Sequence, residues 1–457
     1  MIRIDREVAA LSRTQRLSGL KRIVPVRRIK HVLRECHTNR RICTRVPALA
    51  AVLFVLAMGL FCRDCYRQLW RAVWRWNRLG VPGRSTLCEA RKRIGVMPLV
   101  KLAQQTVRLL GDPQRTPAAF YQGKGKGQPQ YTKVAIDGFV IDLPDTPANA
   151  GVFGRPAGSR GAGAFPQARL VGLCEVGTHV IWKWLVKPIT IAEQTMANYL
   201  LRFLTPDMLL MWDRGFLSYQ RVGQVIKQGA QLLARVQSRL VFKPVKRLSD
   251  GSYLARLYPY TAARRHNTRG ILVRIIDYKL NGRAGGEKKH RLLTTLLDPV
   301  AHPATDLIEL YHDRWEQELA IDEIKTHEME RPQLRSQTPA GVVQELYALM
   351  IDHFVVRAVM CEAAQLKQVD PRRISFTAAI KILRCRMADC PEKSSGQKRW
   401  WENLLKEISD EVLPERRNRI NPRVIKRKMS KWKRKRACHR PSPQPAQRFR
   451  DCVAVLR

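Results

Sequence analysis

Seventeen consecutive uncharged residues, nearly all apolar, occupy positions 46–62 between Arg45 and Arg63. A run of that length predicts a fully buried helix and falls at the short limit for a membrane span, and no second such run follows. Shorter apolar runs then take over. Residues 134–140 predict a strand interrupted by Asp137, residues 170–176 and 179–186 a strand pair around Gly177-Thr178, and residues 208–211 a strand ending in Trp212-Asp213-Arg214-Gly215-Phe216. Residues 194–203 read as a helix between them, and such alternation predicts an α/β sheet. Residues 240–291 are rich in Val, Ile, Tyr and Arg with turn signals at Asp250-Gly251 and Asn281-Gly282, which predicts an antiparallel β subdomain. Residues 292–297 then return to the sheet, and apolar helices follow at 341–366 and 376–388.

The polar pattern is most informative at 311–325, YHDRWEQELAIDEIK. Tyr311, Arg314, Glu318 and Lys325 are spaced 3, 4 and 7 apart, so on a helix they share one narrow arc. Leu310, Ile321 and Ile324 flank that arc on one side, and Ile308, Trp315 and Leu319 on the other. A polar stripe between apolar flanks differs from an ordinary surface helix, although i,i+4 ion pairs account for some such stripes. Asp322 shares the face of Glu318 and stands as its rival for an acidic role. Asp142 is a weaker rival to Asp137.

Charge narrows the partner. The 457 residues carry 83 Lys and Arg against 38 Asp and Glu, a formal net charge of +45. Such a chain repels itself and requires a polyanion, nucleic acid before anionic membrane. Residues 1–45 hold thirteen Lys or Arg and three acids, and residues 416–440 hold thirteen and no acid. Residues 66–76 predict a helix, Val81-Pro82-Gly83 a turn, and Thr86 and Glu89 a capping box opening a helix with Arg91, Lys92 and Arg93, a helix-turn-helix pattern. Residues 111–130 read as a linker or exposed loop. The cysteines are mostly scattered singly and no secretory signal opens the chain, as expected of a reducing cytoplasm. Cys62 and Cys65 have no second pair and read as structural thiols.

The Y-x2-R-x3-E-x6-K spacing, the Ile136-Asp137-Gly138 strand, the Asp213-Arg214-Gly215-Phe216 strand end and the phrase from Ser85 to Gly95 together resemble the insertion-sequence transposases of the IS-four family, within the DDE superfamily. The resemblance implies an α/β, ribonuclease-H-like catalytic core with an inserted antiparallel β subdomain, a helical N-terminal DNA-binding domain and a basic C-terminal region. The corresponding boundaries are 1–110, a linker at 111–130, core at 131–239 and 292–390, the insertion at 240–291 and the basic region at 391–457. It implies Asp137, Asp213 and Glu318 as catalytic acids holding two Mg2+ or Mn2+ ions, and it is this pattern that favours Glu318 over Asp322. Arg314 and Lys325 are expected on phosphates, Tyr311 to hydrogen-bond a phosphate or orient the helix, and Arg91, Lys92 and Arg93 on the element ends. Family members that fold a cut end into a hairpin are expected to stack an unpaired base on an aromatic of the insertion. No Trp lies between Trp212 and Trp315, so Tyr258 and Tyr260 are the nearest substitutes, beside Arg264 and Arg265. The sequence thus reads as a cytoplasmic, nucleoid-associated transposase of a bacterial insertion element, acting as a homodimer on double-stranded element ends and target DNA, with no membrane partner. A non-catalytic DNA-binding derivative is the alternative.

Overall fold

The computed structural model describes residues 22–38, 46–73, 80–158, 161–237, 240–281, 289–391, 394–414 and 449–456. The chain divides into two compact units, Met1–Ala119 with Asp137–Met196 and Glu316–Leu413, and Phe120–Ile136 with Ala197–Trp315 and Pro414–Arg457.

The apolar run is the centre of the first unit. Its helix, Ala48–Leu60, follows Pro47, whose φ of −60° suits a helix start, and every residue after Ala48 is buried. It packs on the 28-residue helix Pro339–Leu366, itself largely buried. Gly59 permits the close approach, since a Cβ there would lie 2.8 Å from the Ala348 carbonyl carbon. Among the described residues no helix is long and apolar enough to cross a membrane. Helices Val26–Glu35, Tyr66–Val73, Arg84–Ile94, Met97–Thr106, Phe376–Arg386 and Ser394–Ser409 complete this helical body. The expected capping box is absent: the ladder of Arg84–Ile94 opens with the Leu87 amide donating to the Gly83 carbonyl at 3.1 Å, so Thr86 and Glu89 lie inside the helix.

Thirteen strands are described: β1 Phe120–Gln122, β2 Gln130–Asp142, β3 Ala157–Gly158, β4 Gly161–Ala162, β5 Gln167–Glu175, β6 Val180–Pro188, β7 Met208–Trp212, β8 Gln231–Val236, β9 Pro244–Arg247, β10 Tyr253–Leu257, β11 Ile271–Leu280, β12 His290–Thr294 and β13 Val453–Val455. In the first unit the order is β6–β5–β2, with β5 and β6 an antiparallel pair as predicted. Gly177 in their turn meets the chain at Ala119 so closely that a Cβ would lie 2.6 Å from the Ala118 carbonyl carbon.

In the second unit β2 is followed by β7, β8, β12, β11, β10 and β9. β7 runs parallel to β2 and β8 parallel to β7, their apolar runs buried on both faces as parallel strands require. Two expectations change here. Residues 111–130 are not a plain linker, because β1 pairs antiparallel with the start of β2. Nor do the strands of 240–291 form a sheet of their own: β12 pairs antiparallel with both β8 and β11, so β11, β10 and β9 extend the same sheet.

Candidate active site

In the second unit β7 is buried throughout and pairs with β2 from Thr132 opposite Met208 to Ala135 opposite Met211. Asp213 comes two residues after Met211, and Asp137 two residues after Ala135. Asp213 is half-buried and turns the chain, its Oδ1 accepting from the Gly215 amide at 2.8 Å. The neighbouring Trp212 carbonyl accepts from the Tyr311 hydroxyl at 3.2 Å. Tyr311 is buried, and burial pushes its phenol well above the ordinary value. Its hydroxyl is engaged inside the protein, tying the end of the helix Ala304–His312 to the Trp212 carbonyl at the end of β7; of its two expected roles this is the helix-orienting one. The Arg314 guanidinium lies over the Tyr311 ring, 5.9 Å from its centroid, and buried Lys133 meets Asp313 at 2.6 Å.

Residues 311–325 are not one helix. Ala304–His312 ends where the Asp313 and Arg314 amides donate to the carbonyls of Leu310 and Tyr311, three residues back instead of four, at 3.0 and 3.2 Å. A new helix, Trp315–Asp322, follows, and Glu323–Glu328 is a π-helix. The arc of four polar residues is thereby interrupted twice. Tyr311 is buried, Arg314 and Glu318 are half-buried, and Lys325 is exposed. Asp322 is also exposed, accepting from Thr326 Oγ1 at 2.6 Å and lying 3.6 Å from His327 Nε2.

In the first unit Asp137 is half-buried, its Oδ1 accepting from the Gly138 amide at 2.8 Å. Glu193, the first residue of the helix Glu193–Leu200, packs onto Gly138: a Cβ there would lie 2.8 Å from the Glu193 carboxyl carbon. This acid packed on Gly138 escaped the sequence reading, and its one signal was a glycine inside an apolar strand, where another group approaches closely. Carboxylate oxygens such as those of Asp137 are hard donors that suit a divalent ion, whereas Glu193 fills the space of the missing Cβ at 138, on the opposite face of the strand. Among the described residues no three His, Cys, Asp or Glu side chains are gathered into a ready-made metal group.

The other expected DNA contacts divide. Arg91 is buried, and its guanidinium donates to Gln344 Oε1 at 3.2 Å and to Ser336 Oγ and the Gly341 carbonyl at 2.9 Å each. It clamps the helix Arg84–Ile94 to Pro339–Leu366 and is not a base-reading residue. Arg93 donates to the Val46 carbonyl, and only Lys92 of the three is exposed, beside Glu89 at 2.8 Å. In the second unit a cleft of about 650 Å³ is lined by Phe242, Lys243, Tyr258, Tyr260, Arg264 and Arg265, among others. Tyr260 is 55% exposed, whereas the Tyr258 hydroxyl donates to Asn267 Oδ1 at 2.6 Å and its ring lies against Gly270. The basic run 416–440 lies outside the described residues.

Residues 14–104 match the family model Insertion element 4 transposase N-terminal, and residues 128–353 match Transposase DDE domain. The chain is 26% identical over 404 residues to Transposase InsG for insertion sequence element IS4 of Escherichia coli (strain K12), covering 85% of this chain and 87% of that protein. It is 26% identical over 136 residues to Putative transposase InsZ of the same organism, covering 30% and 43%. A solved structure, the piggyBac transposase synaptic complex with hairpin DNA, covers 88% of this chain and 86% of that one at 12% identity and a TM-score of 0.43, too slight a likeness to carry an argument. Asp137, Asp213 and Glu318 all fall inside the matched DDE segment, downstream of the matched N-terminal one, and the chain belongs to the IS-four family of DDE transposases.

Proposed function

We propose that this transposase cuts DNA at the ends of its insertion element and joins them to a target through Asp137, Asp213 and Glu318, with two Mg2+ or Mn2+ ions held by these acids. The observation that carries the reading is the parallel register of β2 and β7, because each strand delivers an aspartate two residues beyond the Ala135–Met211 pair. Bound ions of this kind activate water or a 3′-hydroxyl and stabilise the leaving oxygen. The chain's own residues orient that chemistry. The Gly138 and Gly215 amides each fix one aspartate oxygen, and Tyr311 holds the end of β7. Arg314 and Lys325 grip phosphates beside the scissile bond, Arg by its fork and Lys as a point charge.

In the cleft, exposed Tyr260 stacks on an unpaired base of a hairpinned end while Arg264 and Arg265 hold its phosphates, and Tyr258 forms the fixed wall. Lys92 and the run 416–440 add backbone contacts, and two copies of the chain act on the two ends. The test is replacement of each acid by Ala, followed by gel shift and nicking of an element-end duplex in Mg2+. End binding persists and cutting is lost in all three variants; near wild-type cutting by any one removes that residue from the set. Equal binding without cutting by the wild-type protein would favour a non-catalytic derivative.

A further inference from the structure

Glu318 stands on a helix of only eight residues, too short to hold its own orientation. The residues just before it in the chain are anchored in the interior of the first unit. Gln317, fully buried, donates to the Gly172 carbonyl at 3.1 Å, and Glu316 lies 2.7 Å from His179 Nε2. The other ring nitrogen of His179 is 2.9 Å from Glu323, the first residue of the π-helix. Glu323 also meets His353 Nε2 at 3.1 Å and Arg357 Nε at 2.8 Å, with a second Arg357 nitrogen in contact. His179, His353 and Arg357 are each at most 1% exposed.

Burial pushes the Glu323 carboxyl up, but Arg357 and His179 outweigh it and hold the group well below the usual carboxylate range. A buried cluster of ions adds little stability compared with apolar residues of the same volume, and its attested benefit is a single defined arrangement. Two local features agree with that purpose. His179 sits at φ +61°, in the left-handed region that non-glycine residues adopt at an energetic cost. The π-turn directly after the Glu318 helix points Glu323 and Glu328, five residues apart, both inward.

We infer that His179, Glu323 and Arg357 are positioning residues that fix the orientation in which Glu318 is presented for the reaction, acting through Glu316 and the π-turn. This rests on the reading of Glu318 as the third acid. The conservative variants His179→Gln and Glu323→Gln, made in the full chain, test it. Three quantities are measured: gel-shift affinity for an element-end duplex, Mn2+ affinity of that complex by electron paramagnetic resonance titration, and the melting temperature. End binding is expected to stay intact while Mn2+ affinity falls about 10–100-fold, as when partners that orient a ligand are lost. Glu323→Asp, which keeps the charge, recovers part of the loss. Wild-type Mn2+ affinity in both Gln variants, even with a lower melting temperature, makes the cluster purely structural and overturns the inference. If neither variant folds, Glu316→Gln at the edge of the cluster decides by the same criterion. Glu318→Gln is the control: unchanged Mn2+ affinity there sinks the assignment of Glu318 itself, a result distinct from failure of the cluster.

Discussion

Asp213 and Glu318 are held in place by different means. Asp213 follows a five-residue strand fixed on both sides by parallel backbone pairing, with one phenol, Tyr311, bonded to the preceding carbonyl. Glu318 follows a broken helix, and its support is a set of buried side chains drawn from β6's approach, the π-turn and the long helix Pro339–Leu366. Backbone pairing is insensitive to the identity of any one side chain. A charged cluster fails as a whole when one member is removed, because the others remain buried and unpaired. The two acids should therefore differ in how their surroundings respond to mutation.

Arg357→Met should have the largest effect. It leaves the Glu323 carboxylate without its main counter-ion, a loss of about 3–5 kcal/mol in unfolding free energy measured by urea denaturation. Adding Glu323→Gln to the same chain should recover much of it; no recovery would mean that packing of Arg357, not charge, is what matters. On the strand side, Tyr311→Phe removes a single hydrogen bond and should lower stability by only about 0.5–1.5 kcal/mol, with nicking reduced more than end binding. A loss as large as that of Arg357→Met would erase the contrast.

The smallest effect is expected at the end of the π-turn. Burial first, and then the neighbouring Asp352, push the Glu328 carboxyl well above its ordinary value, and burial does the same to Asp352. The folded state thus keeps protons that the unfolded chain releases above the ordinary carboxylate range, so this pair loses stabilising effect as pH rises. Glu323 has the opposite sign: held low, it supports the fold above that range and less as pH falls. Glu328→Gln cannot ionise and should flatten the decline in stability above about pH 5, read from denaturation curves at several pH values. An unchanged slope would show that Glu328 is ionised in the folded protein.

The same contrast governs what could be read beforehand. The buried helix at 46–62, the strands bearing Asp137 and Asp213 and the hairpin at Gly177 were legible because runs of apolar residues bounded by turn formers need only local backbone chemistry. The break after His312 was not, since it accompanies Lys133 pairing with Asp313 and Tyr311 reaching Trp212, partners about a hundred residues or more away in the chain. Arg91 looked like a DNA contact for the same reason: Ser336, Gly341 and Gln344, which claim its guanidinium, are invisible to helical spacing. Continuity of the sheet through β12 depends on long-range register, and Glu193 shows itself only through Gly138.

The pairing of β13 with β11, Val453 opposite Leu280, bears on how the protein is made. The edge of β11 at Tyr278–Leu280 emerges from the ribosome 173 residues (453 − 280) before the strand that covers it. At about 5–20 residues per second that interval is roughly 9–35 s, during which this stretch of strand edge offers unpaired amides to any neighbouring chain. Nascent copies on one messenger would be the nearest such neighbours, so yield on overexpression should depend on how quickly, or at how low a temperature, that stretch is translated.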